Sequence, residues 1–289
     1  FSGGLGNQLF QYAFSCGLSR QNPSHKIYYT DYLIRRNPAH NGYELAYLFG
    51  ITLSSTPYVE CLARLSRKVL LFPRVKPIVS FLLSLARIYV REESRYCSFD
   101  VSFMTARKGV NIYIGYWQTA LYFQSITDEI VRKFTFDMGA LSQRSREMMY
   151  LIERSQSVSV HIRRGDYLSP SNVANVGTIC DLSYYRLAME YMRERLGDVC
   201  FFIFSDDVAW AVEHIRDEKI IVISGNDGKA AWQDMCLMSK CRHHIIANST
   251  FSWWGAWLGR SEDKLVVAPS RFSNDIVGED LIPSSWIRI

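Results

Sequence analysis

From residue 157 onward the chain alternates short apolar runs with longer stretches in which apolar positions recur every three or four residues. Ser157–Ile162 (SVSVHI) is a β-branched run that predicts a strand. Leu182–Leu196 has helical spacing behind Asp181 and Ser183, either of which can cap it. Val199–Phe204 (VCFFIF), Lys219–Ile223 (KIIVI), His244–Ala247 (HIIA) and Leu265–Ala268 (LVVA) predict four further strands. Val208–Arg216, Lys229–Lys240 and Phe251–Leu258 predict the helices between them. Short, almost wholly apolar strands that alternate with helices imply a parallel sheet covered on both faces. The right-handed crossover rule then gives a doubly wound, Rossmann-like α/β domain.

The first half is less regular. A glycine-rich loop leads into helical spacing from about Asn7 to Ser19. Lys26–Tyr29 and Ile112–Tyr116 predict strands, and Thr119–Arg132 predicts a helix. Leu62–Glu92 is basic and apolar, with Arg64, Arg67, Lys68, Arg74, Lys76, Arg87 and Arg91, and Pro73 and Pro77 divide it into two helices. It reads either as a pair of amphipathic helices with a solvated basic face or as a contact with an anionic membrane surface or a lipid-linked acceptor. A junction near Phe136–Leu141 divides the chain into domains 1–138 and 139–289. No secretory signal is visible, and the longest apolar stretch, Val79–Val90, is interrupted by Ser80, Ser84 and Arg87. The chain opens without Met, directly in the glycine loop, so a short strand is expected to precede it.

Composition narrows the class. A hydrophobic share of 48% with 21% charged residues is that of a globular protein, neither disordered nor membrane-spanning. The net charge of +5 suits an anionic ligand such as a nucleoside diphosphate, and it is too small and too dispersed for nucleic-acid binding. The seven cysteines are odd in number and irregular in spacing, with no C-x-x-C pair, which argues against a disulfide framework or zinc site and for a reducing compartment. Trp and Tyr are frequent; their faces can pack against sugar C–H surfaces or simply fill cores.

Four segments carry candidate chemistry. Gly3-Gly4-Leu5-Gly6-Asn7-Gln8 opens a helix with small residues, which lets backbone N–H groups approach a phosphate or sugar, although a tight turn explains the glycines equally well. It is neither a dinucleotide fingerprint nor a Walker loop. His161-Ile162-Arg163-Arg164-Gly165-Asp166-Tyr167 follows the first strand of the regular half, at the sheet edge where open α/β folds bind ligands. One arginine there can face a diphosphate while the other pairs with Asp166; a purely structural Arg–Asp pair is the alternative. Ser205-Asp206-Asp207 ends the next strand, where a carboxylate can accept from ribose hydroxyls or guanine N–H groups, or can cap the following helix. Asn248-Ser249-Thr250-Phe251 follows the fourth strand and offers hydroxyls and backbone N–H groups at a helix N-terminus. Trp253, Trp254 and Trp257 beyond it either pack the helix or serve a ligand. No spaced D-x-D is present and His243-His244 reads as a strand start, so no metal is expected and arginines are left to neutralise a leaving diphosphate.

Taken together, GGLGNQLFQYAF, GYWQT at Gly115–Thr119, VHIRRGDY, FSDD and NSTFSWWGAWLG resemble glycosyltransferase family 11, the α-1,2-fucosyltransferases. The matches run in order from Gly3 to Gly259; the departure is the start, where only Phe1 and Ser2 precede the glycine loop. The resemblance implies a GT-B fold: two facing Rossmann-like domains, the first on the acceptor side and the second binding GDP-sugar. It implies inverting transfer of L-fucose from GDP-β-L-fucose to the 2-hydroxyl of a galactose, without a metal or other cofactor. It places Arg163 against the β-phosphate, His161, Asp206 and Asp207 near the guanosine, and Ser249, Thr250 and Phe251 on the phosphates. Gly4 and Asn7 would line the donor side of the cleft, with Arg164 in the donor site and Asp166 as a candidate base or brace. For a bacterial member the expected acceptor is a lipid-linked capsule or lipopolysaccharide repeat, and the expected place is the cytoplasm or the inner face of its membrane. A transferase of another nucleotide sugar and a non-catalytic sugar-nucleotide or glycan-binding module are the rival readings.

Overall fold

The computed structural model describes residues 1–36, 40–71, 74, 76–216, 219–274 and 280–289, with the backbone alone for 68–71. The chain divides into two compact units, Phe1–Thr135 and Phe136–Ile289.

The first unit contains helices α1 (Leu5–Gln21), α2 (Leu45–Phe49), α3 (Pro57–Leu71) and α4 (Lys76–Leu85), strands β1 (Ile88–Glu92) and β2 (Val110–Ile114), and helix α5 (Thr127–Lys133). Helix α1 forms its centre. Leu9, Phe10, Ala13 and Phe14 are buried, and Phe14 stacks on Trp117 at 4.2 Å between ring centroids. Strands β1 and β2 pair in parallel, from Ile88↔Val110 to Glu92↔Ile114. A cavity of about 830 Å³ lies among α1, the extended stretch 26–30 and β2.

The structure departs here from the sequence expectations. Ile88–Glu92, expected inside a helix, is a strand, because Arg87 adopts φ +57° and ends the helical run before a β-branched segment. Lys26–Tyr29 is extended but joins no ladder: Tyr29 exchanges hydrogen bonds with Ser54 instead. The helix expected from Thr119 breaks into two 3₁₀ turns, Ala120–Tyr122 and Gln124–Ile126, before α5. Pro73 lies outside the described residues.

The second unit contains α6 (Gln143–Glu153), β3 (Ser157–Ile162), α7 (Leu182–Leu196), β4 (Cys200–Ser205), α8 (Val208–His214), β5 (Ile220–Ile223), α9 (Trp232–Lys240), β6 (His243–Ile245), α10 (Thr250–Leu258), β7 (Val266–Ala268) and β8 (Ile287–Arg288). Its six strands are all parallel, in the order β5-β4-β3-β6-β7-β8. The α/β class with parallel sheets is therefore what the alternating pattern demands. On one face Val158, Val160, Phe201 and Ile203 pack with Ala188 and Met192 of α7 and Ala211 of α8. On the other, His161 of β3 meets Phe251 of α10 at 5.8 Å between ring centroids. All six residues of β3 are buried although Ser157, Ser159 and His161 alternate with Val158, Val160 and Ile162: Ser159 hydrogen-bonds His244 at 2.9 Å and Ser157 accepts from the Arg242 N–H at 3.1 Å, so the polar side is covered as well. Each large side chain so buried contributes roughly 1.5–3 kcal/mol.

Numbered within its own unit, the sheet runs 3-2-1-4-5-6, and the strand order reverses between β3 and β6. Such a reversal opens a crevice beyond the carboxyl ends of the two strands, because their connections leave in opposite directions.

Candidate active site

Both strands at the reversal end in the segments singled out by sequence. Strand β3 delivers Arg163, Arg164 and Gly165, followed by the 3₁₀ turn Asp166–Leu168. Its neighbour β6 leads through Ile246 and Asn248 to Ser249, the residue before α10. On the other side of β3, β4 ends at Ser205 and presents Asp206 and Asp207. The fold thus gathers His161, Arg163, Arg164, Asp166, Asp206, Asp207, Ser249, Thr250 and Phe251 along one edge of one sheet. Gly4 and Asn7 belong to the first unit, at the start of α1.

The arginines are held by a fixed set of partners. Arg163 Nη2 bonds Asp166 Oδ1 at 2.7 Å and Nη1 bonds Asp206 Oδ2 at 3.0 Å. Its guanidinium lies 5.7 Å from the ring of Tyr167, and the side chain remains 31% exposed, so it is braced but open to a ligand. Arg164 donates from Nε to Asp207 at 3.2 Å and lies over the ring of Trp210 at 4.1 Å. Its backbone N–H donates to Asp206 Oδ1 at 2.8 Å. Both oxygens of Asp206 are therefore engaged, and Asp207 also caps α8 by accepting from Trp210 N–H. In this arrangement the two carboxylates position arginines. Asp166 pairs with Arg163, not with Arg164. Gly165 is required between them: a Cβ there would lie 2.8 Å from Asp206 Oδ2.

His161 is buried beside Arg163, and its Nδ1 has no hydrogen-bond partner among the described residues. Burial, and then the neighbouring Arg163 charge, push its pKa down to about 3, so the imidazole stays neutral at physiological pH. A neutral ring can give or take a single hydrogen bond without adding charge. Tyr167 donates its hydroxyl to Asn248 O at 3.0 Å, which joins the β3 and β6 ends, and burial raises its phenol to about 12. Asn248 is itself buried and donates to the carbonyls of Val176 and Phe272, both at 3.0 Å. Ser249 caps α10 by accepting from Phe251 N–H at 3.3 Å. The start of a nine-residue helix at a strand end suits an anion, through its backbone N–H groups and dipole.

Sequence reasoning missed Tyr167, Trp210 and Asn248 as functional positions. Tyr167 stood inside the quoted motif, and Trp210 lies three residues after the capping Asp207, so both had a local signal. The bridge from Asn248 to Val176 and Phe272 spans distant segments and had none.

In the first unit two of the quoted motifs meet. Gln118 of the G-Y-W-Q-T segment donates to Asn7 Oδ1 at 2.9 Å, and Gln11 donates to Gly115 O at 3.0 Å. Trp117 adopts φ +57°, unusual for a residue with a side chain, and is fixed by burial on Phe14 and by the Glu93 carboxylate accepting its N–H at 3.2 Å. Burial holds the Glu93 carboxyl above its ordinary pKa.

Comparison with known proteins gives the family. The family model described as Glycosyl transferase family 11 matches residues 1–289. An α-1,2-colitosyltransferase of Escherichia coli is 33% identical, covering 100% of this chain and 97% of the relative. The O-antigen biosynthesis glycosyltransferase WbnK of Escherichia coli is 30% identical, covering 100% and 98%. Human galactoside α-(1,2)-fucosyltransferase 1 is 30% identical over 47% of this chain and 40% of its own length. Among solved structures, the NodZ α-1,6-fucosyltransferase soaked with GDP-fucose aligns with a TM-score of 0.45 at 14% identity, covering 88% of this chain and 89% of that one. With its family model matched from the first residue to the last, and the motif arginines seated at the switch point of a parallel sheet, this chain belongs to glycosyl transferase family 11.

Proposed function

We propose that this glycosyltransferase moves L-fucose from GDP-β-L-fucose to the 2-hydroxyl of a galactose, with inversion and without a metal ion. One observation carries the reading: Arg163 sits at the carboxyl end of β3, oriented by two carboxylates and still partly open, beside the N-terminus of α10. A leaving diphosphate gathers charge as the glycosidic bond breaks, and a preorganised guanidinium stabilises that charge without reorganising. In this reading Arg163 and Arg164 serve the diphosphate, and Ser249, Thr250 and Phe251 add donors from the start of α10. His161 contributes one neutral hydrogen bond at the donor, and Asp206 and Asp207 hold the arginines. Asp166 acts in catalysis by orienting Arg163, and is the nearest carboxylate to take the acceptor proton.

A second donor has specific support. The E. coli α-1,2-colitosyltransferase matches along the whole chain, whereas the human fucosyltransferase matches 47% of it. Colitose is fucose without its 3-hydroxyl, so the two donors share the GDP, the ring and the leaving group. The similarity to an O-antigen biosynthesis enzyme supports a bacterial glycan as acceptor.

The deciding experiment incubates the enzyme with GDP-fucose, GDP-colitose or a UDP-sugar and a panel of galactosides, with and without EDTA, and assigns the product linkage and anomer by NMR. An α-1,2-fucosylgalactoside formed equally well in EDTA supports the proposal. Turnover of GDP-colitose alone moves the reading to that donor. Binding of GDP without turnover of any donor overturns it in favour of a binding module.

A further inference from the structure

Helix α4 has its amphipathic pattern turned outward. Ile78, Phe81, Leu82 and Leu85 stand at i, i+3, i+4 and i+7, the spacing of one apolar helix stripe. In a helix packed on a core this stripe would be the buried one. Here the four side chains are 63%, 63%, 58% and 68% exposed, and no residue of α4 is fully buried. The turned-in side, with Val79, Ser80 and Leu83, is only partly covered. An apolar stripe of this size on the surface marks an interaction site.

The charge around the stripe identifies what covers it. From Cys61 to Arg91 the sequence has seven Lys and Arg and no Asp or Glu; Lys76, at the start of α4, is paired with the Glu92 that follows this stretch. Arg74 precedes α4 by one position outside the described residues, Arg87 follows it, and both are exposed. Gly109 packs against the Arg87 backbone, which brings exposed Arg107 and Lys108 to the same end of the helix. A large apolar protein partner would have no need of so one-sided a rim. A bilayer rich in anionic headgroups matches both parts, taking the stripe into its interface and the cations at its phosphates. No helix among the described residues is long and apolar enough to cross a membrane, so this contact lies in the surface plane.

We propose that the face formed by Ile78, Phe81, Leu82 and Leu85, with Arg74, Arg87 and Lys108 at its margins, docks this enzyme on anionic lipid bilayers. The inference is independent of which sugar the enzyme transfers.

The test is flotation of the full chain with vesicles of phosphatidylcholine alone and of phosphatidylcholine with 30 mol% phosphatidylglycerol, roughly the anionic content that makes such attraction measurable. Wild type is expected to float with the anionic vesicles only, and to be largely released by about 0.5 M salt, where charge attraction is screened. The double variant Phe81→Ser with Leu82→Ser is expected to lose binding about tenfold or more, and Arg74→Glu with Lys108→Glu to lose it at low salt as well. Circular dichroism and thermal midpoints, which exposed positions should leave near wild type, establish that each variant is folded. Equal flotation of wild type and the serine variant overturns the proposal. So does a concentration-dependent dimer, seen by sedimentation, that the serine variant abolishes while neither protein binds vesicles: the stripe then belongs to a second copy of the chain.

Discussion

In the proposed reaction the chemistry turns on Arg163. Its two carboxylate partners fix the guanidinium plane before any ligand arrives, so little reorganisation remains for the transition state. Arg163→Ala is therefore expected to lower kcat by about a hundredfold or more, equivalent to roughly 2.7–4 kcal/mol of barrier, with a smaller change in KM. Steady-state kinetics with the donor decide this, and a variant of wild-type kcat removes the arginine from the mechanism. Asp234 offers a test of a different kind. Burial, opposed by its bond to Asn226, raises its carboxyl to about 7, and the charge of Asp227 adds to the rise. A carboxyl raised on folding contributes stability that is fully present below its unfolded value and is lost as pH rises toward the folded one. The cost of keeping Asp234 thus grows from about pH 4 and levels off above about 7. Asp234→Asn keeps an oxygen for Asn226 and cannot ionise, so its thermal midpoint should gain on wild type more at pH 8 than at pH 4.5. A gain independent of pH would show that the carboxyl does not titrate in that window.

At the scale of elements, the second unit was more legible than the first, where helix α1 and strand β2 were expected and β1 was not, for physical reasons. Strand β4, with Phe201, Phe202, Ile203 and Phe204 all fully buried, is marked by apolarity alone, whereas the alternating Ser and Val of β3 hide that its polar side is covered too. In the first unit, Ile88–Glu92 continues an apolar stretch without a break in composition, and only the backbone turn at Arg87 separates helix from strand. The motifs at the sheet edge were visible as residues, but their pairing was not: strand alternation cannot say that Asp166 reaches back to Arg163 while Asp207 crosses from β4 to Arg164. Helix α10 makes a further point about ends. Lys264 donates to the carbonyls of Ala256 and Gly259, both at 2.8 Å, at the C-terminus of the helix, where Ala256 O also accepts from the Gly259 N–H. Lys264→Ala is expected to lower stability by about 1.5–3 kcal/mol, the range for hydrogen bonds that involve a charged group. An unchanged urea midpoint would mean that water replaces the lysine without loss.

At the scale of the molecule, the α/β class and the reversal in strand order account for why the site lies where it does. No single motif needed to encode the position, because right-handed crossovers on both faces of one sheet leave a crevice at only one place on its carboxyl edge. Charge is distributed with similar economy. The segment from Cys61 to Arg91 holds a surplus of seven positive charges in a chain whose total is only +5, so everything else sums to −2. That surplus sits in one stretch of the first unit, the stretch that also carries the outward apolar stripe. If the proposed docking holds, a negatively charged plane would draw that stretch toward it before contact, and added salt would weaken the pull.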